Sequence, residues 1–235
     1  MNKEIKTILF DLDGTLLPMD QDLFLKTYFG LLIKNLSNHG FAPQKLLETV
    51  YSGTGAMLKN DGKNTNETVF WNHMAKIYGE DVRNTVPFFE QFYKDDFPMV
   101  QKSCGYNKDA NVVIKELKKR GYQLILATNP LFPSVATEQR IKWAGLDIND
   151  FDLVTTYENS KYCKPNMNYY LEIIEKMNLN PKCCMMVGND VSEDMITQNI
   201  GMKVFLITRD LINKNNEDIN KYPNGTLIDL LNYVN

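Results

Sequence analysis

The stretch IKTILFDLDGTL, residues 5–16, joins a short apolar run to two aspartates, a glycine and a threonine. The apolar run, Ile5 to Phe10, is typical of a strand that is buried on both faces in a parallel sheet. Four more runs of this kind predict strands at Tyr122–Ala127, Asp152–Thr155, Cys184–Val187 and Lys203–Ile207. The first strand is therefore expected to belong to a sheet of five.

Helix-like segments separate the strands from the second one onward. The predicted helices cover residues 108–120, 133–144, 166–177 and 192–200. Gly121, Gly145 and Gly201 stand where three of these helices would end, which is a common place for glycine. The polar stretch 213–224 predicts a surface loop before a short final helix. Buried strands alternating with amphipathic helices indicate an α/β fold with a doubly wound parallel sheet.

Residues 18–103 interrupt this alternation, because they contain no convincing strand. They hold half of the aromatic residues and several stretches with the 3.6-residue periodicity of amphipathic helices. We therefore predict an α/β core formed by residues 1–17 and 104–235, with an α-helical domain inserted at 18–103. Within that domain, residues 52–55 (SGTG) lack the ending of a phosphate-binding loop and predict a break between two helices, which could face a substrate.

The composition is that of an ordinary globular protein. Of the 235 residues, 43% are hydrophobic, and 29 acids against 26 bases give a net charge of −3. No basic excess would draw the chain to nucleic acid or to an anionic membrane. No apolar run approaches the ~18 residues of a membrane span, and the first residues lack the pattern of a signal peptide. The four cysteines lack metal-binding spacing, so we expect reduced thiols, no zinc site and a cytoplasmic location.

Polar residues follow the predicted strands at the point where each strand ends. In an open parallel sheet, ligands bind outside the carboxyl ends of the strands, so these side chains are expected to converge at one edge. The candidate site residues are, in chain order, Asp11, Asp13, Thr128, Asn129, Lys164, Asn189, Asp190 and Asp194. Their convergence from four strand ends is stronger evidence for a site than any single motif.

The residue types in this set suit chemistry on a phosphate. A carboxylate can act as a covalent nucleophile, as in enzymes that form an aspartyl-phosphate. Its attack meets a repulsion on the order of 4 kcal/mol for unit charges 4 Å apart at an effective dielectric constant of 20, so a cation must offset it. Acids from the first and fourth strand ends could hold Mg²⁺, which prefers oxygen ligands. Lys164 would add positive charge, and Thr128 and Asn129 could donate hydrogen bonds to phosphoryl oxygens.

The ordered set of motifs resembles that of the haloacid dehalogenase superfamily. The matching motifs are Asp11-x-Asp13-Gly14-Thr15, Thr128-Asn129, Lys164-Pro165 and Gly188-Asn189-Asp190 with Asp194 beyond. The helical insertion at 18–103 is similar to the cap that this family often places after its first motif. The dehalogenase branch lacks an acid at the position of Asp13, so the resemblance favours phosphoryl transfer.

The resemblance implies a Mg²⁺-dependent phosphatase that hydrolyses a phosphorylated small molecule, a phosphomonoester, through an aspartyl-phosphate. Asp11 would be the nucleophile, and Asp13 would protonate the leaving group and then activate water. Thr128 and Lys164 would bind the phosphoryl group, with Asn129 beside them. A phosphomutase of the same superfamily and a catalytically silent phosphate-binding member are the alternatives. No pattern in the sequence identifies the natural substrate or the oligomeric state.

The fourth motif departs from the family pattern, because many members carry an acid where this chain has Asn189. Either Asn189 supplies a neutral oxygen ligand or Asp190 takes the metal position. We favour Asp190, with Asp194 in direct or water-mediated contact. The predicted metal ligands are thus Asp11, Asp13, Asp190 and Asp194, with Asn189 as the alternative.

Overall fold

A computed structural model describes residues 5–234 and gives this part of the chain one parallel sheet of six strands. The strands are β1 (Thr7–Phe10), β2 (Gln123–Leu126), β3 (Leu153–Val154), β4 (Cys184–Gly188), β5 (Lys203–Ile207) and β6 (Asn224–Gly225). Their order is β3-β2-β1-β4-β5-β6, and all paired neighbours are parallel. This is the doubly wound order, in which the winding reverses between β1 and β4. The predicted fold class is confirmed.

The central strand β1 is buried on both faces, as its apolar sequence predicts. Ile8 and Phe10 lie in the larger of two hydrophobic cores, whereas Leu9 points to the other core on the opposite face of the sheet. This alternation follows from the two-residue period of a strand. Hydrogen bonds to β2 on one side and to β4 on the other fix the direction of β1, and with it the position of the residues after Phe10.

The inserted segment, residues 18–103, is helical, as predicted. Its helices are α1 (Gln21–Ser37), α2 (Pro43–Leu58), α3 (Asn66–Tyr78) and α4 (Val86–Asp95), with 3₁₀ turns at Glu80–Thr85 and Phe97–Ser103. Asp20 caps α1 by accepting a hydrogen bond of 3.0 Å from the backbone N–H of Leu23. Phe24, Tyr28 and Leu32 recur every four residues on α1 and are buried in the larger core, so amphipathic packing holds the helix in place.

The prediction of a helix break at residues 52–55 is wrong, because α2 runs through this stretch without interruption. Gly53 has a packing role instead of a breaking role. A Cβ atom on Gly53 would lie 2.9 Å from the ring of Phe70 on α3. The absence of a side chain at Gly53 therefore lets α2 and α3 approach closely.

Four more helices complete the described part of the chain. They are α5 (Lys108–Lys119), α6 (Ser134–Trp143), α7 (Met167–Lys176) and α8 (Leu227–Tyr233). The first three confirm the predicted helices to within a residue or two at each end, and α8 confirms the short final helix. The fourth predicted helix, 192–200, is instead a 3₁₀ turn over Met195–Ile200 that ends at Gly201 with a φ of +84°.

The sixth strand was not predicted, because β6 has two residues and begins at the end of the polar stretch 213–224. Its residues are at the edge of the sheet and are not buried, so no apolar run signals it. Within residues 5–234, no helix has the length and apolar composition that crossing a bilayer requires.

Candidate active site

The predicted site residues converge at the carboxyl edge of the sheet. All of them except Lys164 line one cavity of about 230 Å³. Lys164 lies behind the cavity wall, where its Nζ contacts Asp11 and Asp194. The sheet therefore brings together residues that are separated by up to 183 positions in the chain.

A tight turn after β1 aims Asp11 and Asp13 at the cavity. The backbone N–H of Asp11 donates to Val187 O at 2.9 Å, so pairing with β4 continues past the end of the strand. Gly14 then adopts a φ of +83°, a left-handed conformation that favours glycine. A Cβ atom on Gly14 would lie 2.2 Å from Nδ2 of Asn189, so this position needs glycine for space as well.

Lys164 forms a buried ionic cluster with two carboxylates. Its Nζ lies 2.8 Å from Oδ1 of Asp11 and 2.7 Å from Oδ1 of Asp194, and its side chain is only 1% exposed. Burial alone would lower the pKa of Lys164, but the charges of Asp11 and Asp194 raise it well above the ordinary value. Burial raises the pKa of Asp194 more than the Lys164 charge lowers it. The cluster thus places a permanent cation beside Asp11.

Arg140 on α6 is the partner of Asp13, and no sequence motif indicated it. Its guanidinium donates to Oδ2 of Asp13 and, at 3.2 Å, to Oγ1 of Thr137, and it lies 4.7 Å above the ring of Phe132. Burial raises the pKa of Asp13, and the charge of Arg140 opposes that shift. Oδ1 of Asp13 is buried and has no hydrogen-bond partner within residues 5–234. One oxygen of Asp13 is therefore left for a ligand.

The residues after β4 are ordered by hydrogen bonds of different kinds. Asn189 accepts from Oγ1 of Thr15 at 3.0 Å and donates to the carbonyl oxygen of Asp210 at 2.6 Å, so both ends of its amide are occupied. Oδ1 of Asp190 accepts from the backbone N–H groups of Ser192 and Glu193 at 2.8 and 2.9 Å. In the described part of the chain, the second carboxylate oxygen of Asp190 has no hydrogen-bond partner, and Asp190 lines the cavity.

The loop after β2 connects the cavity to Lys164. Oδ1 of Asn129 accepts from the backbone N–H of Lys164 at 3.2 Å, and its Nδ2 donates to Glu193 at 3.3 Å. The carbonyl oxygen of Thr128 accepts from the hydroxyl of Tyr169 at 2.9 Å. Asn129 therefore holds the Lys164 loop against the strand end that carries Thr128. Glu193, which the sequence analysis also did not single out, lines the same cavity.

The donor chemistry of the site fits Mg²⁺. Within residues 5–234, no three His, Cys, Asp or Glu side chains form a ready metal cluster. Mg²⁺ does not need one, because it binds through one or two carboxylates together with waters and substrate phosphate. The free oxygen of Asp190 is a hard donor of this type, and the carboxylate of Asp11 lines the same cavity. Asp194 differs, since its Oδ1 bonds Lys164 and its Oδ2 accepts from the N–H of Asp190 at 3.1 Å.

Comparison with known proteins identifies relatives over most of the chain. Residues 5–197 match the haloacid dehalogenase-like hydrolase family. Pyrophosphatase PpaX from Bacillus mycoides (strain KBAB4) is 25% identical over 205 residues, 87% of this chain and 84% of the relative. A HAD phosphatase structure from Thermococcus onnurineus has a TM-score of 0.59 at 22% identity and 98% coverage of both chains. The magnesium-bound HAD-hydrolase YfnB from Bacillus subtilis has a TM-score of 0.57 at 15% identity, covering 99% of this chain and 100% of that one. These two structures support the fold.

Proposed function

Because this chain belongs to the haloacid dehalogenase-like hydrolase family, we propose that it is a Mg²⁺-dependent phosphatase of a small-molecule phosphomonoester. The observation that carries the proposal is the position of Asp11. Its carboxylate contacts the buried Lys164 and lines the same cavity as Asp13 and Asp190. A nucleophile, a general acid and hard oxygen donors thus meet at one point.

Asp11 is the proposed nucleophile. One of its carboxylate oxygens attacks phosphorus, the bond from phosphorus to the leaving-group oxygen breaks, and an aspartyl-phosphate forms. Lys164 offsets the repulsion between the carboxylate and the phosphate, and it is held in place by Asp194 at 2.7 Å. Asn129 and Thr128 would donate hydrogen bonds to the transferring group from the neighbouring strand end.

Asp13 is the proposed general acid and base. Its pKa is raised by burial, which favours a carboxyl that still carries a proton when the substrate arrives. That proton passes to the leaving-group oxygen as its bond to phosphorus breaks. The resulting carboxylate then takes a proton from the water that attacks the phosphoryl group, which frees Asp11 and restores the acid.

The residues that would hold Mg²⁺ are Asp11 and Asp190, because the one unpartnered oxygen of Asp13 would carry the proton for the leaving group. When bound, the ion supplies positive charge that neutralises the phosphate oxygens as the reaction proceeds. Both oxygens of Asp194 already have protein partners, which supports a role for Asp194 in holding Lys164 and the backbone of Asp190. Asn189 is likewise occupied at both ends of its amide.

Residues 18–103 are proposed to act as a cap over the site. Gln21, Phe24 and Leu25 of α1 line the cavity together with the residues of the sheet edge. Helices in this position could exclude bulk water from the covalent phosphate until Asp13 activates one molecule.

The free thiols of all four cysteines agree with the predicted cytoplasmic location, which cell fractionation would test.

The proposed function is tested by phosphate release from a panel of phosphomonoesters and pyrophosphate, with Mg²⁺ and with EDTA. We expect Mg²⁺-dependent release from at least one phosphomonoester, and a loss of at least 10³-fold in kcat for Asp11→Asn. Release from pyrophosphate alone would contradict the phosphomonoester assignment. Transfer of the phosphoryl group to a second position of the substrate would identify a phosphomutase, and phosphate binding without turnover would identify a silent member.

A further inference from the structure

A second cavity lies beside the candidate active site, and its walls are apolar. It has a volume of about 220 Å³ and is formed by helices of residues 18–103 together with the loop after β2. The aromatic wall residues include Tyr28, Phe29, Phe70, Trp71, Phe89 and Phe132. We call this space the aromatic cavity. Its walls include no charged residue.

The aromatic cavity adjoins the candidate active site. Leu25, Leu131 and Phe132 line both spaces. Leu131 and Phe132 follow Thr128 and Asn129 by only two to four residues, so one loop borders both the proposed phosphate-binding position and the aromatic cavity. The two spaces therefore lie side by side, with Leu25, Leu131 and Phe132 at their border.

The aromatic cavity lies on the side of the site that carries Asp13. The ring of Phe132 forms part of its wall, and the guanidinium of Arg140 lies 4.7 Å from the centre of that ring. The same guanidinium donates to Asp13. Because Asp13 is the proposed acid for the leaving group, the leaving group has to lie beside it, and the neighbouring aromatic cavity is where the rest of that group would fit.

Several polar groups in the walls are bonded to the protein, whereas Nε1 of Trp71 is buried with no hydrogen-bond partner within residues 5–234. The hydroxyls of Tyr28 and Tyr93 bond each other at 2.9 Å, and the hydroxyl of Thr54 donates to the carbonyl oxygen of Val50 at 3.0 Å. A charged or sugar-like group in this space would lose its hydration and find few free partners, which is costly. An apolar group would bear no such cost and could fill the space between the aromatic rings.

We propose that the aromatic cavity binds the leaving group of the substrate, and that this leaving group is apolar and about the size of one aromatic ring. An apolar cavity of roughly 150 Å³ accepts benzene, so 220 Å³ accepts a ring with a short linker. The inference rests on the proposed phosphatase function and adds the substrate class to it. It also gives a role to the stretch 52–55, since Thr54 lines the cavity and Gly53 lets Phe70 pack against α2.

The test compares benzyl phosphate with ethyl phosphate, because both release a primary alcohol and differ mainly in the ring. We expect kcat/KM to be at least tenfold higher for benzyl phosphate, the smaller end of the range for burying one large apolar group. Thr54→Phe should bring the ratio of the two kcat/KM values to within threefold by filling the cavity. Leu58→Phe is the matched control, because Leu58 lies on the same helix, is 46% exposed and should keep the ratio.

A binding measurement separates failure of this inference from failure of the phosphatase assignment. Calorimetry should show that the non-hydrolysable benzylphosphonate binds wild-type protein at least tenfold more tightly than methylphosphonate. Tenfold tighter binding without hydrolysis of any ester would support the aromatic cavity as the binding site of the apolar group and would overturn the proposed phosphatase function. Hydrolysis of both esters with equal kcat/KM, or hydrolysis together with equal affinity for both phosphonates, would overturn the proposed role of the aromatic cavity and leave the phosphatase assignment in place. The wild-type ratios decide the matter even if Thr54→Phe does not fold.

Discussion

At the scale of single residues, the site is defined by two buried cations that hold two different aspartates. Lys164 contacts Asp11, and Arg140 contacts Asp13, and each cation is only 1% exposed. Lys164 could be predicted because it precedes a proline in a recognisable motif. Arg140 could not, because its partner is 127 residues away and only the packing of α6 joins them. The available signal was a charged residue on the otherwise buried face of α6, beside Ala136, Thr137 and Ile141.

Arg140→Met should shift the pH dependence of catalysis. The charge of Arg140 lowers the pKa of Asp13 against the upward effect of burial, so its removal raises that pKa further. The proposed acid must be protonated, and activity therefore falls as the pH rises through this pKa. We expect the alkaline limb of kcat/KM to move up by about one pH unit in Arg140→Met. Arg140→Lys should keep the alkaline limb of the wild-type pH profile. If Arg140→Met had the same alkaline limb as the wild type, Asp13 would not be the group that titrates.

Lys164→Met should destabilise the protein, because two buried carboxylates lose their shared cation. Removing one partner of a buried ion pair costs about 3–5 kcal/mol in the free energy of unfolding. The pKa of Asp194 is already raised in the folded protein, so the stability of the variant should increase as the pH is lowered and the unpaired carboxylates become protonated. Urea unfolding at pH 8 and pH 5 measures both effects.

The control for this prediction is Lys176→Met. Lys176 is 39% exposed, pairs at 2.9 Å with Glu172, which is 12% exposed, and donates to the carbonyl oxygen of Asn159, so its loss should cost at most about 1 kcal/mol. Equal losses for the two lysine variants would contradict the account of a buried cluster.

At the scale of elements, the turn after β1 determines where both catalytic candidates point. The strand and its two aspartates were predictable, since a buried parallel strand has a characteristic apolar run. The weaker elements were not predictable in this way. The two-residue β6 has no apolar run, and the glycines of the stretch 52–55 suggested a helix break although Gly53 serves the contact between α2 and Phe70. Local sequence does not report such contacts.

Gly14→Ala should damage the site more than its backbone strain alone explains. At Gly14, a Cβ atom would meet Nδ2 of Asn189 at 2.2 Å, and the φ of +83° disfavours any side chain. Gly40→Ala is the control, because Gly40 has a φ of +87° with open space around it. Gly40→Ala should cost about 1–2 kcal/mol from the backbone conformation, and Gly14→Ala should cost at least 1 kcal/mol more and reduce kcat. Thermal unfolding of both variants measures these losses of stability. Equal losses would show that the close approach of Gly14 to Asn189 adds nothing to the cost of the substitution.

At the scale of the whole molecule, the doubly wound sheet explains why distant motifs form one site. The carboxyl ends of β1, β2 and β4 meet at one edge, so residues from Asp11 to Asp194 line or adjoin one cavity. That convergence follows from topology and was predictable. The aromatic cavity was not predictable, because it forms between residues 18–103 and the loop after β2. The periodicity of the aromatic residues in 18–103 indicates only that they belong to a helical core.

Two substitutions after β4 distinguish Asp190 from Asn189 as the proposed Mg²⁺ ligand. Asp190 keeps one oxygen free, whereas Asn189 has partners for both ends of its amide. We expect Asp190→Asn to raise the Mg²⁺ concentration for half-maximal activity by at least tenfold. Asn189→Ala should change it by less than threefold, although it should reduce stability through the lost hydrogen bonds to Thr15 and Asp210. If only Asn189→Ala weakened Mg²⁺ activation, the ligand would be Asn189.

The proposed function requires that Asp11 carries the phosphoryl group during turnover. Rapid acid quenching of the enzyme during hydrolysis of a substrate ester, followed by peptide mass spectrometry, measures this directly. We expect a phosphorylated Asp11 in the wild-type protein and none in Asp11→Asn. With p-nitrophenyl phosphate, whose leaving group needs no proton, Asp13→Asn should accumulate more of the phosphorylated form because water is no longer activated. Turnover with no phosphate on Asp11 in any quenched sample, or a fully active Asp11→Asn, would contradict the account.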